Sequence, residues 1–148
     1  MRLCITMFLA ASAGLAAFPA TAQSLDGAYR GMFLCEKMPA SPDILRVPID
    51  LLSKSGAVQF ARPIFNFNGQ RVIGSELGSG SVDADGTLHL TSSWHFRGVT
   101  YEGEYSGTLK AGGGTLTGTQ AWSGPKGDRA SRTCTAALVL APQKAAAR

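Results

Sequence analysis

Apolar and polar residues alternate along much of this chain. In 86–96 the residues of the apolar face are Leu88, Leu90, Trp94 and Phe96, and the opposite face carries threonine, serine and histidine. The segments 99–110 and 114–122 repeat the same period of two. Successive side chains of a β-strand point to opposite faces, so this pattern predicts half-buried strands.

Turn signals divide the chain into eight predicted strands. Asn68-Gly69 and Asp85-Gly86 are strong hairpin signals because both residue pairs tolerate a positive φ. The apolar phase also changes at Pro63, which indicates a β-bulge there. The predicted strands are 27–36, 44–53, 57–67, 70–84, 87–96, 99–110, 114–122 and 131–140.

Three consecutive glycines, Gly112-Gly113-Gly114, raise the question of a phosphate-binding loop. Such a loop needs Gly-Lys-Ser/Thr between a strand and a helix, and neither that triplet nor a helical pattern follows here. We therefore expect the glycines to form the turn of a β-hairpin.

The connections are short, which favours an up-and-down meander. In that order Cys35 lies in the last residues of the first strand and Cys134 lies near the start of the eighth, at the same level and on the same face. A disulfide needs Cα atoms within about 7 Å, and closure of the sheet supplies that distance. The chain is thus predicted to be an all-β, closed or nearly closed antiparallel eight-stranded barrel with one disulfide. A two-sheet β-sandwich is the alternative fold.

Residues 1–22 are typical of a cleaved export signal. A positive start is followed by an apolar run, and Ala20-Thr21-Ala22 matches the A-x-A cleavage pattern. The run is too short to span a membrane. Cleavage would leave 126 of the 148 residues and, because Arg2 is removed, lower the net charge from +4 to +3. We expect one barrel domain over 23–140, a flexible tail over 141–148 and a periplasmic or secreted location.

The predicted order places the two longest connections, 37–43 and 123–130, at one end of the barrel. We expect any binding site at this end. Its inward residues form a candidate ligand-binding set of five aromatic residues and one amide: Phe33, Trp94, Phe96, Tyr101, Gln120 and Trp122. Basic residues at the same end form a candidate set for contact with an anion or a protein partner: Lys37, Arg71, Arg97, Lys126, Arg129 and Arg132.

Catalytic and metal-binding patterns are weak. His89 and His95 are six residues apart on one strand, about 20 Å by strand rise, so they cannot chelate one metal. Glu102 and Glu104 fall on the outer face of a strand. The modest charge does not resemble the basic face of a nucleic-acid-binding protein. We therefore expect no enzymatic activity, no metal, no cofactor, no nucleic-acid partner and no membrane span after cleavage.

Tyr101-Glu102-Gly103-Glu104-Tyr105 and Thr119-Gln120-Ala121-Trp122 loosely resemble the later strands of avidin-type barrels. The resemblance covers about the last third of the chain. Ala121 separates Gln120 from Trp122, and the final strand lacks the acidic ligand-contacting residue of that family. We infer no biotin binding from it.

The leading functional hypothesis is an exported, non-catalytic barrel that binds a small apolar or anionic molecule. The alternatives are a protein-binding module of the cell envelope, such as an inhibitor of an exported hydrolase, and a packed structural barrel.

Overall fold

The computed structural model describes residues 24–39, 41–65 and 70–142. It confirms a closed, antiparallel, up-and-down barrel in which β8 pairs with β1, so the sandwich alternative is wrong. The predicted signal, the Asn68-Gly69 turn and most of the predicted tail lie outside the described residues. The strands are β1 (Gly27–Cys35), β2 (Leu45–Lys54), β3 (Ala57–Phe65), β4 (Val72–Val82), β5 (Thr87–Phe96), β6 (Val99–Lys110), β7 (Gly113–Ser123) and β8 (Arg129–Leu140).

Tight turns join most neighbouring strands. Ser55 and Gly56 have φ of 51° and 80°, and Arg97 and Gly98 have φ of 48° and 76°. Positive φ at both central residues gives a two-residue loop the twist that an antiparallel pair requires. The glycine triplet belongs to the β6–β7 hairpin, where Lys110 pairs with Gly113. The predicted hairpin is therefore confirmed, but its turn is Ala111-Gly112, and Gly113 and Gly114 are the first residues of β7.

A disulfide joins the two strands that close the barrel. Cys35 and Cys134 are directly opposite each other in the β1–β8 register, with Cα atoms 4.0 Å apart. Both side chains are buried inside the barrel. The pairing predicted from level and face is therefore confirmed.

Inward side chains follow the two-residue period and fill the lower interior with an apolar core. Its fully buried members include Tyr29, Ile49, Leu51, Leu88 and Leu109. Each such side chain contributes about 1.5–3 kcal/mol by leaving water.

The phase of β3 differs from the prediction. Val58, Phe60, Arg62 and Ile64 all face inward, and the register with β4 shifts between Ile64 and Phe65. The predicted change at Pro63 is therefore too early. Because inward and outward side chains keep alternating as far as Ile64, the Arg62 side chain lies in the interior.

The upper end of the barrel is the end that carries the 36–44, 97–98 and 124–128 connections. Here backbone pairing is lost on both sides of the β3–β4 pair. Pairing of β2 with β3 ends at Asp50↔Ala61, and pairing of β4 with β5 ends at Leu77↔Ser93. Beyond these points, 62–65 and 72–76 pair only with each other. We call these two segments the upper β3–β4 hairpin. Its separation from β2 and β5 leaves space at this end of the barrel.

Candidate functional site

A cavity of about 870 Å³ occupies the upper end of the barrel. Its wall includes 41–44 from the β1–β2 connection, the start of β2, the end of β3 and the upper ends of β5 to β8. The cavity thus lies at the end where the long connections predicted a binding site.

Aromatic side chains on three neighbouring strands form one wall. Trp94 of β5 is paired with Tyr101 of β6, and Tyr101 is paired with Trp122 of β7. The ring centroids of Trp94 and Tyr101 are 5.7 Å apart. Phe96 extends the wall outward, with its ring centroid 5.9 Å from that of Trp94. The row is apolar and only partly buried, which suits contact with an apolar molecule.

Trp94 also crosses the opening between β4 and β5. A Cβ atom at Gly74 would lie 2.5 Å from the indole Nε1 of Trp94, so only glycine lets the ring approach the β4 backbone this closely. The indole therefore covers a stretch where backbone pairing between these strands has ended.

A layer of buried polar side chains lies between the cavity and the apolar core. Its centre is Glu76 of β4, which is 0% exposed. The Glu76 carboxylate accepts hydrogen bonds from Arg62 Nη2, Ser92 Oγ, Gln120 Nε2 at 2.7 Å and, more weakly, the Tyr105 hydroxyl at 3.4 Å. The donors come from β3, β5, β6 and β7. Glu76 thus ties the upper β3–β4 hairpin to the far wall, where backbone pairing no longer does so.

Positive charge exceeds negative charge in this layer. Arg62 and Arg132 are 2% and 5% exposed, and among the buried side chains of the described residues Glu76 is the acidic one. Arg62 forms an ion pair with Glu76. Arg132 donates from Nε and Nη2 to the neutral Oε1 of Gln120, at 2.9 and 2.6 Å. The Arg132 cation therefore contacts an amide rather than a carboxylate.

Two buried guanidinium nitrogens in the described structure have no hydrogen-bond acceptor, Arg62 Nε and Arg132 Nη1. Both arginines also line the cavity. A buried charged group without its full set of partners is unfavourable by a few kcal/mol. Among the polar groups of the site, these two nitrogens most clearly lack a hydrogen-bond partner.

Burial changes the acid–base behaviour of the site. It lowers the pKa of the Arg132 guanidinium below its ordinary value, and repulsion from Arg62 lowers it further. Burial raises the pKa of the Tyr101 hydroxyl, and the Arg132 and Arg62 cations oppose that shift only in part. At neutral pH the Tyr101 hydroxyl therefore keeps its proton and can donate a hydrogen bond at the cavity wall.

The predicted ligand-binding residues lie in two places, at the cavity and in the barrel interior. Trp94, Phe96, Tyr101 and Trp122 line the cavity. Gln120 instead lies in the polar layer. The sixth member, Phe33, is fully buried, with its ring 5.6 Å below the Arg62 guanidinium and 5.2 Å from the Tyr105 ring. Phe33 and Gln120 therefore support the site from the interior.

The predicted basic residues also lie in different places, some exposed at the surface and one buried. Arg97 lies at the cavity rim, 5.1 Å from the centroid of the Phe96 ring, and Lys37, Lys126 and Arg129 are exposed. Arg71 is exposed just before β4. Arg132 differs from the other basic residues of the set: it lies on β8, and its side chain is buried in the barrel interior because it shares the inward face of Cys134.

Arg62, Glu76 and Ser92 were missing from the predicted site. All three lie on inward faces, and for Arg62 the signal was its shared parity with Val58 and Phe60. The assumed phase change at Pro63 obscured that signal.

No protein-family model, curated protein or solved structure matches this chain. Within 24–39, 41–65 and 70–142, no group of three or more His, Cys, Asp or Glu side chains is arranged to hold a metal ion. No helix in the described part of the chain is long and apolar enough to cross a membrane.

Proposed function

We propose that this protein is an exported, non-catalytic barrel that binds a small molecule in the cavity at its upper end. The observation that carries the proposal is the cavity of about 870 Å³ with its aromatic wall. Pockets for small ligands have volumes of roughly 300–1,000 Å³ and combine apolar walls with a few polar groups. The cavity has both properties.

The layering of the interior favours this function over a packed structural barrel. Apolar side chains fill the lower interior and a polar layer covers them. Above that layer the aromatic row of Trp94, Tyr101 and Trp122 is only half-buried. A protein whose barrel served only as a packed scaffold would gain stability by filling this space.

Export is the part of the proposal that rests on residues 1–22 together with the disulfide. Disulfides persist in oxidising compartments such as the periplasm and are rare in the cytosol. The Cys35–Cys134 pair is compatible with a periplasmic or secreted location.

Native mass spectrometry of the protein exported to a bacterial periplasm under its own residues 1–22 tests the proposal. We expect a discrete added mass on the folded chain, and we expect Trp94→Ala to abolish it because the wall loses its central ring. His89→Ala is the matched control, since His89 is exposed on the outer face of the same strand. The proposal would be contradicted by a bare monomer that also binds none of four apolar probes. The probes are two acids, decanoate and 2-naphthoate, and the two matching alcohols, decan-1-ol and 2-naphthylmethanol.

A protein-binding module remains the second candidate. Lys37, Lys126 and Arg129 are exposed near the same end of the barrel and could contact an acidic surface of an envelope protein such as an exported hydrolase. Charge reversal at Lys126 and Arg129 would weaken such a complex, whereas Trp94→Ala would weaken small-molecule binding. Affinity purification from a periplasmic extract with these two variants separates the candidates.

A further inference from the structure

We propose that the ligand is a monocarboxylic acid with an apolar body, bound with its carboxylate against Arg132 at the inner end of the cavity. This inference rests on the proposed function and specifies the ligand class of the same site. It follows from the charge of the polar layer, the unpartnered nitrogens and the apolar wall.

The polar layer carries one positive charge that is not balanced. Arg62 is paired with Glu76, but Arg132 donates only to the neutral amide oxygen of Gln120. A buried cation normally has an ionic partner, because moving an unpaired charge out of water is strongly unfavourable. One negative charge beside Arg132 would neutralise the layer, so a monoanion fits better than a dianion.

Hydrogen-bond donors at the cavity suit a carboxylate. A guanidinium N–H forms a short and strong hydrogen bond to a carboxylate oxygen, because both groups are charged. Arg132 lines the cavity, and its Nη1 has no acceptor among the described residues. The protonated hydroxyl of Tyr101 lines the same cavity and is a further hydrogen-bond donor for an anion. These donors match a planar carboxylate.

Much of the remaining cavity wall is apolar. Away from the arginines, the cavity is lined by the aromatic row and by aliphatic side chains such as Ile44, Ile64 and Ile73. Apolar surface of this kind stabilises an apolar ligand by about 25 cal/mol for each Å² removed from water. Arg46 and Arg97 also line the cavity and outnumber the Asp43 carboxylate there, so together they would attract an anion as it approaches. A fatty acid or an aromatic acid has the required combination of one charge and an apolar body.

Isothermal titration calorimetry of the mature, disulfide-bonded protein tests the inference with two matched pairs of probes. The pairs are decanoate with decan-1-ol, and 2-naphthoate with 2-naphthylmethanol. We expect each acid to bind about tenfold or more tighter than its alcohol, since hydrogen bonds to a charged group are the stronger ones.

Arg132→Met should remove most of this preference while the alcohols bind as before. The matched control is Arg129→Met, because Arg129 lies on the same strand but is exposed; it should retain the full preference. If Arg132→Met does not fold by circular dichroism, Arg132→Gln is used, since its amide can still pair with Gln120.

The outcomes separate this inference from the proposed function. Equal binding of acids and alcohols would overturn the carboxylate inference and leave small-molecule binding standing. A preference that persists in the folded Arg132 variant would overturn the role of Arg132. Failure of all four probes, together with a bare monomer in native mass spectrometry, would overturn both proposals. Acid preference in the wild type that disappears with Arg132 would support both.

Discussion

Replacing Glu76 with glutamine should strongly destabilise the barrel. Glu76 accepts hydrogen bonds from side chains on four other strands, and its charge is paired with the buried Arg62. Glutamine has nearly the same shape but no charge, and its amide NH2 places a donor where an acceptor is needed. The substitution therefore isolates the electrostatic contribution of the carboxylate.

The expected loss follows from the burial of the group. Removing one partner of a buried ion pair lowers the free energy of unfolding by about 3–5 kcal/mol, because the remaining charge is buried without compensation. In urea, with a slope of about 2 kcal/mol per M, the unfolding midpoint should fall by about 2 M.

Equilibrium urea unfolding followed by tryptophan fluorescence measures this change. Glu102→Gln is the matched control, because Glu102 is exposed on the outer face of β6 and should change stability by less than about 0.5 kcal/mol. Hydrogen exchange should also rise in 62–65 and 72–76, since Glu76 ties this hairpin to the rest of the barrel.

A second variant separates the loss of the pair from the loss of one partner. Replacing both Glu76 and Arg62 with methionine removes both charges, and it should destabilise less than Glu76→Gln alone. A Glu76→Gln protein as stable as the Glu102→Gln control would refute the reasoning, because it would mean that the buried arginines do not depend on this carboxylate.

Three further predictions concern stability. Burial raises the pKa of the Tyr105 hydroxyl, so the folded protein keeps a proton that the unfolded chain loses above about pH 10; stability should fall as the pH rises past that point. Tyr105→Phe should reduce this slope by up to about 1.4 kcal/mol per pH unit in urea titrations, and an unchanged slope would contradict the prediction. Replacing Cys35 and Cys134 with serine opens a link between residues 99 apart in sequence. Unfolding free energy should fall by about 4–5 kcal/mol, measured in urea, and a loss below about 1 kcal/mol would argue against it. Gly103→Ala would place a Cβ 2.3 Å from the Tyr105 hydroxyl and should lower stability by about 1–3 kcal/mol, whereas Gly112→Ala, with open space around it, should be neutral in thermal melts. Equal melts would contradict this contrast.

The barrel and its disulfide were predictable because each rests on a local or strictly alternating pattern. The two-residue period identifies strand faces, and the up-and-down order then fixes which strand ends meet. Cys35 and Cys134 fall opposite each other by these rules alone. The aromatic wall was predictable for the same reason, since Trp94, Tyr101 and Trp122 are inward residues near strand ends.

The polar layer was not predictable in this way. Charged residues are mostly exposed, and their burial depends on partners that come from distant parts of the chain. Glu76 accepts from Gln120, which is 44 residues away in sequence. The cavity depends on where pairing ends at Asp50↔Ala61 and Leu77↔Ser93, and no single residue at those points signals the separation.

The most direct test of small-molecule binding at the upper end uses the two tryptophans of the sequence, Trp94 and Trp122, because both line the cavity. A ¹H–¹⁵N spectrum of the mature protein should show two indole cross-peaks, which are titrated with decanoate. We predict saturable shifts of both peaks, with smaller changes for residues of the lower core. Binding of decanoate that leaves both indole peaks in place would contradict a ligand site in this cavity, and so would a bare monomer to which none of the four probes binds.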